Sequence, residues 1–177
     1  DPQADIDDVL RDIATARYGM EAATHARQAW AAFSRAFEQY PYDGLVVYNA
    51  PQQFGPANLL YGKKPATTQP WWASPTIVSM AGAVVTRPKC LLTSLPRWLR
   101  AGLLAMQRVV DHTGAKQRNV AELDLGVARA ANLHFASVAN QARFVMARDA
   151  LATDNVEDKA RADARDQLRM ILTSEID

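Results

Sequence analysis

Apolar side chains recur every three or four residues over five stretches of the chain, which is the spacing of an amphipathic helix. These stretches predict helices from about Asp5 to Tyr18, Glu21 to Gln39, Arg97 to His112, Val120 to Leu151, and a last one with Asp154 as its N-cap. Gly19 and Pro41 follow the first two stretches, and glycine and proline commonly end helices. The pattern therefore predicts an all-α fold, a helical bundle of about five helices.

Each predicted helix carries an apolar stripe. In the first helix, one face holds Ile6, Val9, Leu10 and Ile13. In the second helix, an aromatic stripe holds Trp30, Phe33, Phe37 and Tyr40. The inward faces of the third and last helices are predicted to hold Leu99, Leu103, Met106 and Val110, and Ala160, Ala164, Leu168, Ile171 and Leu172. We interpret the aromatic stripe as core, with Trp30, Phe33 and Phe37 buried; the alternative is a platform on which sugars stack.

The middle of the chain has no helical pattern. Leu45 to Tyr48 is a short apolar run that suits a strand or a buried extended segment. Prolines interrupt the region that follows, at Pro65, Pro70, Pro75, Pro88 and Pro96. We therefore expect a single helical domain or fragment over residues 1–177, in which helical arms at 1–62 and 103–177 flank an irregular, proline-rich insertion at 63–102.

The composition indicates a globular domain and argues against several kinds of partner. The chain has 177 residues, 49% of them hydrophobic and 22% charged, with a net charge of +1, which is typical of a globular domain. Without a block of basic residues or a long apolar run, neither nucleic acid nor a membrane is an expected partner. Cys90 is the single cysteine, so an internal disulfide is excluded. No signal peptide is recognisable, so we expect a cytoplasmic fragment of a longer protein.

No established motif for catalysis, cofactors or metals is present. The three histidines are far apart in sequence, and neither a P-loop, a Rossmann glycine pattern nor a nucleophile elbow occurs. We therefore predict no metal and no cofactor. The feature that does stand out is a polar stripe on the fourth helix, formed by His134, Ser137, Gln141 and Arg148 and flanked by Asn140 and Arg143. This stripe suits core hydrogen bonds, a ligand-facing wall or solvent exposure.

A second group of polar side chains lies in the loop from Pro51 to Asn58. Its amides at Gln52, Gln53 and Asn58 offer both donors and acceptors, which suits a hydroxyl-rich ligand, although they could instead cap the backbone of the loop. We expect this loop to lie near the polar stripe, because both sets otherwise lack partners. The candidate substrate-binding residues are Gln52, Gln53, Asn58, His134, Asn140, Gln141 and Arg148.

Two stretches of the sequence, at residues 18–62 and 124–151, contain the motifs GPANLLY and H-x-x-S-x-x-N-Q-x-x-F. With these motifs the chain resembles the C-terminal helical region of large bacterial glycoside-hydrolase-like proteins. The resemblance implies carbohydrate as the partner and an upstream (β/α)8-type barrel that carries the catalytic carboxylates. It extends to Trp30, Pro51, Gln52, Gly55, Pro56, Ala57, Asn58, His134, Ser137, Asn140 and Gln141.

The resemblance stops between about Pro65 and Gly102. The family segment expected there can spell ATTQPWWASPT when its codons are read one nucleotide out of frame, so we predict a frameshifted middle that is restored near Leu103. In that case Trp71, Trp72 and Cys90 have no selected role. Residues from Pro65 to Pro96 should then be mostly coil, with both tryptophans exposed. The alternative is a genuine, divergent insertion.

The sequence thus leads to one principal hypothesis and two others. The principal one is a helical accessory domain of a carbohydrate-active protein, which supports or lines the substrate cleft. The second is a non-catalytic helical module that binds another protein, and the third is a stand-alone enzyme. An open pocket with convergent polar groups would favour sugar binding, whereas an exposed apolar patch would favour a protein partner.

Overall fold

The computed structural model describes residues 5–38, 91–153 and 157–176, and every regular element in these ranges is a helix. The elements are α1 (Ile6–Tyr18), α2 (Met20–Glu38), α3 (Leu91–His112), α4 (Arg118–Leu151) and α5 (Asp158–Ile176). The predicted all-α class is confirmed. The predicted extended run from Leu45 to Tyr48, and the prediction that Trp71 and Trp72 are exposed, lie outside the described residues.

The ends of α1 follow the chemistry of the sequence. Asp5 is the N-cap, and its Oδ1 accepts a hydrogen bond of 2.8 Å from the backbone N–H of Asp7. This bond satisfies one of the backbone donors that a helix start leaves free. Gly19 follows the helix with φ of 93°, a region that favours glycine, and its N–H donates to the carbonyl of Thr15. A side chain at Gly19 would therefore strain the junction between α1 and α2.

Two helix starts differ from the prediction. The third helix was expected to start at Arg97, but α3 starts at Leu91 and contains Pro96, so residues 91–102 are helical rather than irregular. Proline in the second turn removes only one backbone bond, the one to the carbonyl of Leu92, which leaves the helix continuous. The last helix starts at Asp158, so its N-cap position is Glu157 and not Asp154, and the carbonyl of Glu157 accepts from the N–H of Arg161.

The chain divides into two compact units. Unit 1 comprises residues 1–39 and 94–133, and unit 2 comprises residues 40–93 and 134–177. Unit 1 has a core in which small side chains predominate on α1 and α2, and larger ones on α3 and α4. Its buried residues include Ala14, Tyr18, Ala22, Ala23, Ala26, Ala29, Ala105, Met106, Val109, Val110, Ala121 and Leu125. Leu99 and Leu103 also face inward, as predicted for the third helix.

Apart from Tyr18, the buried residues of α1 and α2 are alanines. The predicted stripe of α1 shares one face but points outward, with Ile6 74% exposed and Ile13 49% exposed. On α2, Trp30 and Phe33 pack against the core only in part. The prediction that Phe37 is buried is wrong, since 42% of it is exposed. Alanine allows two helix backbones to approach closely, so the bulkier neighbours are left at the margin of the contact.

In unit 2, the second half of α4 packs against α5 through a small apolar cluster. Phe144 and Ile171 are buried, and Leu168 packs against them. Of the face predicted for the last helix, Ala164 and Ile171 are buried, whereas Leu172 is exposed. None of the helices that the structure describes is apolar over a length that could cross a membrane.

Candidate functional site

Unit 1 contains a cleft of about 420 Å³ with a mostly apolar wall. Side chains from α1, α2, α3 and α4 line it: Arg17, Tyr18, Trp30, Phe33, Phe37, Leu99, Met106, Asp124, Val127, Ala128 and Ala131. Small-molecule and side-chain pockets have volumes of roughly 300–1,000 Å³ and combine an apolar wall with a few polar groups. The cleft has this composition, with four aromatic side chains, one of which carries a hydroxyl, and two charged side chains.

The aromatic wall of the cleft owes its form to one glycine. Tyr18 and Trp30 lie with their ring centroids 6.2 Å apart and their planes tilted by 51°. Gly102 of α3 faces the ring of Phe33, and a Cβ atom at this position would overlap that ring. The absence of a side chain at Gly102 therefore lets the aromatic ring of α2 lie directly on the backbone of α3.

The polar end of the cleft is a hydrogen-bonded group of three side chains. The carboxylate of Asp124 accepts from Nε and Nη2 of Arg17, both at 2.8 Å, and from the hydroxyl of Tyr18 at 2.7 Å. Arg17 also lies with its guanidinium carbon 5.6 Å from the centre of the Tyr18 ring. The paired N–H donors match the geometry of a carboxylate, so the group joins the end of α1 to α4 in a fixed arrangement.

This environment raises the pKa of Tyr18 and of Arg17. Burial raises the pKa of the Tyr18 hydroxyl, and its hydrogen bond to Asp124 raises the pKa further. The hydrogen bond to Asp124 likewise raises the pKa of the Arg17 guanidinium. Tyr18 therefore remains a neutral hydrogen-bond donor at physiological pH.

The polar stripe predicted on the fourth helix is mostly buried in unit 2. Ser137 donates to Oε2 of Glu175 at 2.8 Å, and Asn140 donates to Oε1 of Glu175 and to Oγ of Ser174, each at 2.8 Å. Arg143 donates to the amide oxygen of Asn140 at 3.1 Å. Residues of α5 thus hydrogen-bond to two of the polar residues in and beside the stripe, as expected for side chains that would otherwise be buried without partners.

The other predicted site residues differ in burial, and three of them lie outside the described residues. Gln141 and Arg148 are buried, and Arg148 contacts the carboxylate of Asp149. Gln141 lies 3.5 Å from the Ser137 hydroxyl. His134 is half-buried, and its ring meets that of Phe135 edge-on at 5.2 Å. The predicted amides at Gln52, Gln53 and Asn58 lie outside the described residues, so the predicted proximity of the loop to the polar stripe stays a prediction.

Sequence reasoning did not single out Arg17, Tyr18 or Asp124. Arg17 and Asp124 are 107 positions apart, and each is an ordinary charged residue on the surface of an amphipathic helix. A signal was present in Tyr18, because an aromatic residue with a polar end is a frequent pocket component and it directly precedes a helix-ending glycine. The aromatic stripe was predicted from the sequence, and its partly exposed residues Trp30, Phe33 and Phe37 line the cleft.

Comparison with known proteins found no relative of the chain. No family model, no curated protein and no solved structure matches the chain. Within the residues that the structure describes, no group of three or more histidine, cysteine, aspartate or glutamate side chains is arranged to hold a metal ion.

Proposed function

We propose that this chain is a non-catalytic helical module that binds a partner polypeptide through an apolar anchor side chain in the cleft of unit 1. The observation that carries the proposal is the composition of the cleft, an aromatic and aliphatic wall with hydrogen-bonding groups at one end. Buried aromatic or aliphatic anchors that fill such pockets supply most of the free energy in many protein–protein interfaces.

The surface beside the cleft supports a polypeptide as the ligand. Val127 lines the cleft and is nevertheless 71% exposed, and Leu123, one turn earlier on α4, is equally exposed. Apolar surface next to an anchor pocket is the arrangement used by grooves that accept an amphipathic helix. A partner that inserts one side chain into the cleft would therefore also cover these two residues.

The polar end of the cleft suits recognition better than catalysis. Asp124 is the single carboxylate among the described residues that line the cleft, and it already accepts three hydrogen bonds. Hydrolysis of a glycosidic bond ordinarily requires two carboxyl groups on either side of the bond. An ionised carboxylate can accept about four hydrogen bonds, so Asp124 retains capacity for one donor from a ligand.

A second candidate is the accessory domain of a carbohydrate-active protein. The resemblance to glycoside-hydrolase-like proteins, over roughly Asp5 to Pro65 and Leu103 to Ile176, motivates it, and the cleft offers a feature in its favour. Trp30 and Phe37 provide aromatic faces beside the charged pair Arg17–Asp124. Sugars bind proteins through both kinds of group, by stacking on aromatic rings and by hydrogen bonding through hydroxyls.

Competition binding separates the two candidates. The fluorescent dye 1-anilinonaphthalene-8-sulfonate would serve as a reporter, with N-acetyl-tryptophanamide as the stand-in for an anchor side chain and maltotriose as the sugar. The polypeptide proposal expects the tryptophan amide to displace the dye and to shift the backbone amide resonances of Trp30 and Phe33. Displacement by maltotriose alone would favour the carbohydrate candidate.

The exposed stripe of α1 supplies the control for this experiment. An Ile13→Ser variant removes exposed apolar surface at a residue that does not line the cleft, so its dye affinity should equal that of the unmodified chain. If Ile13→Ser abolishes dye binding, the dye reports on α1 and the cleft proposal fails. Failure of both competitors to perturb the cleft resonances would also reject it.

A further inference from the structure

Two histidines that are 87 positions apart in the sequence meet on unit 1. His25 of α2 and His112, the last residue of α3, lie with their ring centroids 4.6 Å apart and their planes tilted by 46°. Two nitrogens that bind one transition-metal ion are each about 2.0–2.1 Å from it, and hence about 3–4 Å from each other. With their centroids 4.6 Å apart, the two rings are close enough for one nitrogen of each ring to lie within that nitrogen–nitrogen distance.

The helices hold the two rings in place. Ala22 and Ala26 lie one turn before and next to His25 on α2, and both are fully buried. Val109 and Val110 precede His112 on α3 and are buried in the same core. The two backbones are therefore fixed by packing, so an ion would find the imidazoles already close together, with little ordering cost on binding.

A backbone contact orients the ring of His112. Its Nδ1 lies 2.8 Å from the carbonyl oxygen of Arg108. A carbonyl oxygen only accepts hydrogen bonds, so this nitrogen carries the proton, and the lone pair of the neutral ring is on Nε2. A histidine that binds a metal usually donates its other N–H to a carbonyl or carboxylate in this way. His112 as a whole is exposed.

His25 contributes the second, less accessible ring. Its Nδ1 is buried, and no hydrogen-bond partner for it exists among the described residues. A ring nitrogen removed from water without a partner is unfavourable. Coordination of an ion by the two rings would add an interaction to a pair of imidazoles that otherwise meet only through ring contact.

We propose that His25 and His112 form a two-imidazole site for a divalent transition-metal ion such as Zn²⁺ or Cu²⁺, which ties the end of α3 to α2. Imidazole nitrogen is a preferred ligand for these ions. No third protein ligand is arranged at this point among the described residues. Water would complete the coordination sphere, so the bound ion should exchange readily and be removed by a chelator.

Calorimetric titration of the 177-residue chain with Zn²⁺ in a non-coordinating buffer tests the proposal. We expect one Zn²⁺ per chain. Loss of an outer-shell partner alone typically costs about 10- to 100-fold in metal affinity, so removal of a ligand in His112→Gln should weaken binding by at least about tenfold. The chain offers a matched control in His134, which lies in unit 2. A His134→Gln variant should bind Zn²⁺ as the unmodified chain does.

Thermal unfolding provides a second readout. Zn²⁺ should raise the melting temperature of the unmodified chain, EDTA should reverse the rise, and His112→Gln should not respond. His112 is exposed, so its substitution leaves the fold intact and the comparison remains valid if His25→Gln is unstable. The proposal is overturned if the unmodified chain binds no Zn²⁺ at millimolar concentration, or if His112→Gln binds it as tightly as the unmodified chain.

Discussion

Unit 1 and unit 2 bury different kinds of side chain at their helix contacts. The core of unit 1 is apolar and rich in alanine, and the charged residues of its cleft lie at the edge of the core. In unit 2, α4 buries Ser137, Gln141 and Arg148 in addition to its apolar residues. These buried polar side chains of α4 are part of the interior of unit 2, whereas unit 1 leaves aromatic and aliphatic side chains partly exposed around a cleft.

The size of an apolar residue does not decide which face of a helix is buried in this protein. Unit 1 exposes Ile6 and Ile13 while it buries Ala14 and Ala26. Close approach of two helices favours small side chains at the contact, and the larger ones then remain available to bind something else. In unit 2, burial of Ser137 is tolerated because Glu175 of α5 accepts a hydrogen bond from its hydroxyl.

Enlarging an alanine in the core of unit 1 should have the largest effect on stability. Ala26→Leu adds three carbon atoms at a fully buried position, so we expect a loss of about 3 kcal/mol, the upper end for overpacked cores. Ile13→Ala removes a larger side chain, but from a half-exposed position, and should cost less than about 0.5 kcal/mol. Urea unfolding followed by circular dichroism measures both. Similar losses in the two variants would show that α1 packs through its isoleucines.

Removing the carboxylate at the polar end of the cleft should have the next largest effect. In Asp124→Ala the buried hydroxyl of Tyr18 loses its acceptor, which we expect to cost about 1–2 kcal/mol. Arg17→Ala breaks the same ion pair on its solvent-exposed side and should cost less than about 1 kcal/mol. The same unfolding assay compares them. A larger loss in Arg17→Ala would mean that the ion pair, and not the tyrosine hydrogen bond, stabilises this end of unit 1.

The polar contact of unit 2 should respond more weakly. Glu175 accepts from Ser137 and Asn140, so Glu175→Ala should lower the free energy of unfolding by about 1 kcal/mol. Glu175→Gln retains one acceptor oxygen and should lose less. Amide hydrogen exchange along α5 would detect the local change. Unaltered exchange in Glu175→Ala would indicate that apolar contacts alone hold α5 in unit 2.

The smallest expected effect appears in alkaline solution and concerns unit 1 alone. The raised pKa of Tyr18 means that the folded state holds its proton more tightly than the unfolded state does, for which the pKa is about 10. Its contribution to stability is therefore complete below about pH 10 and is lost as the pH rises toward the higher folded value. Tyr18→Phe should show a shallower decline in melting temperature above pH 10 than the unmodified chain. Equal declines in melting temperature for Tyr18→Phe and the unmodified chain would show that Tyr18 does not hold its proton more tightly in the folded state.

Periodicity predicted the helices of the described residues well, because 3.6-residue patterns and end signals such as Gly19 are local. It did not predict the early start of α3, because the helix continues through Pro96. For the candidate site, the aromatic stripe with Trp30 and Phe33 was visible in the sequence. Its contact with Gly102, and the pairing of Arg17 with Asp124, depend on how distant helices pack, which a one-dimensional pattern does not contain.

We propose that the cleft of unit 1, and not the polar stripe of α4, is the binding site. Titration with 1-anilinonaphthalene-8-sulfonate tests it most directly when two substitutions on the same helix are compared, Ala128→Phe to fill the cleft and Asn140→Ala to interrupt the polar network of unit 2. We predict that Ala128→Phe weakens binding of the dye by about tenfold, or about 1.4 kcal/mol, while Asn140→Ala leaves it unchanged. Loss of dye binding in Asn140→Ala, with full binding in Ala128→Phe, would show that the dye binds at the polar stripe and not in the cleft.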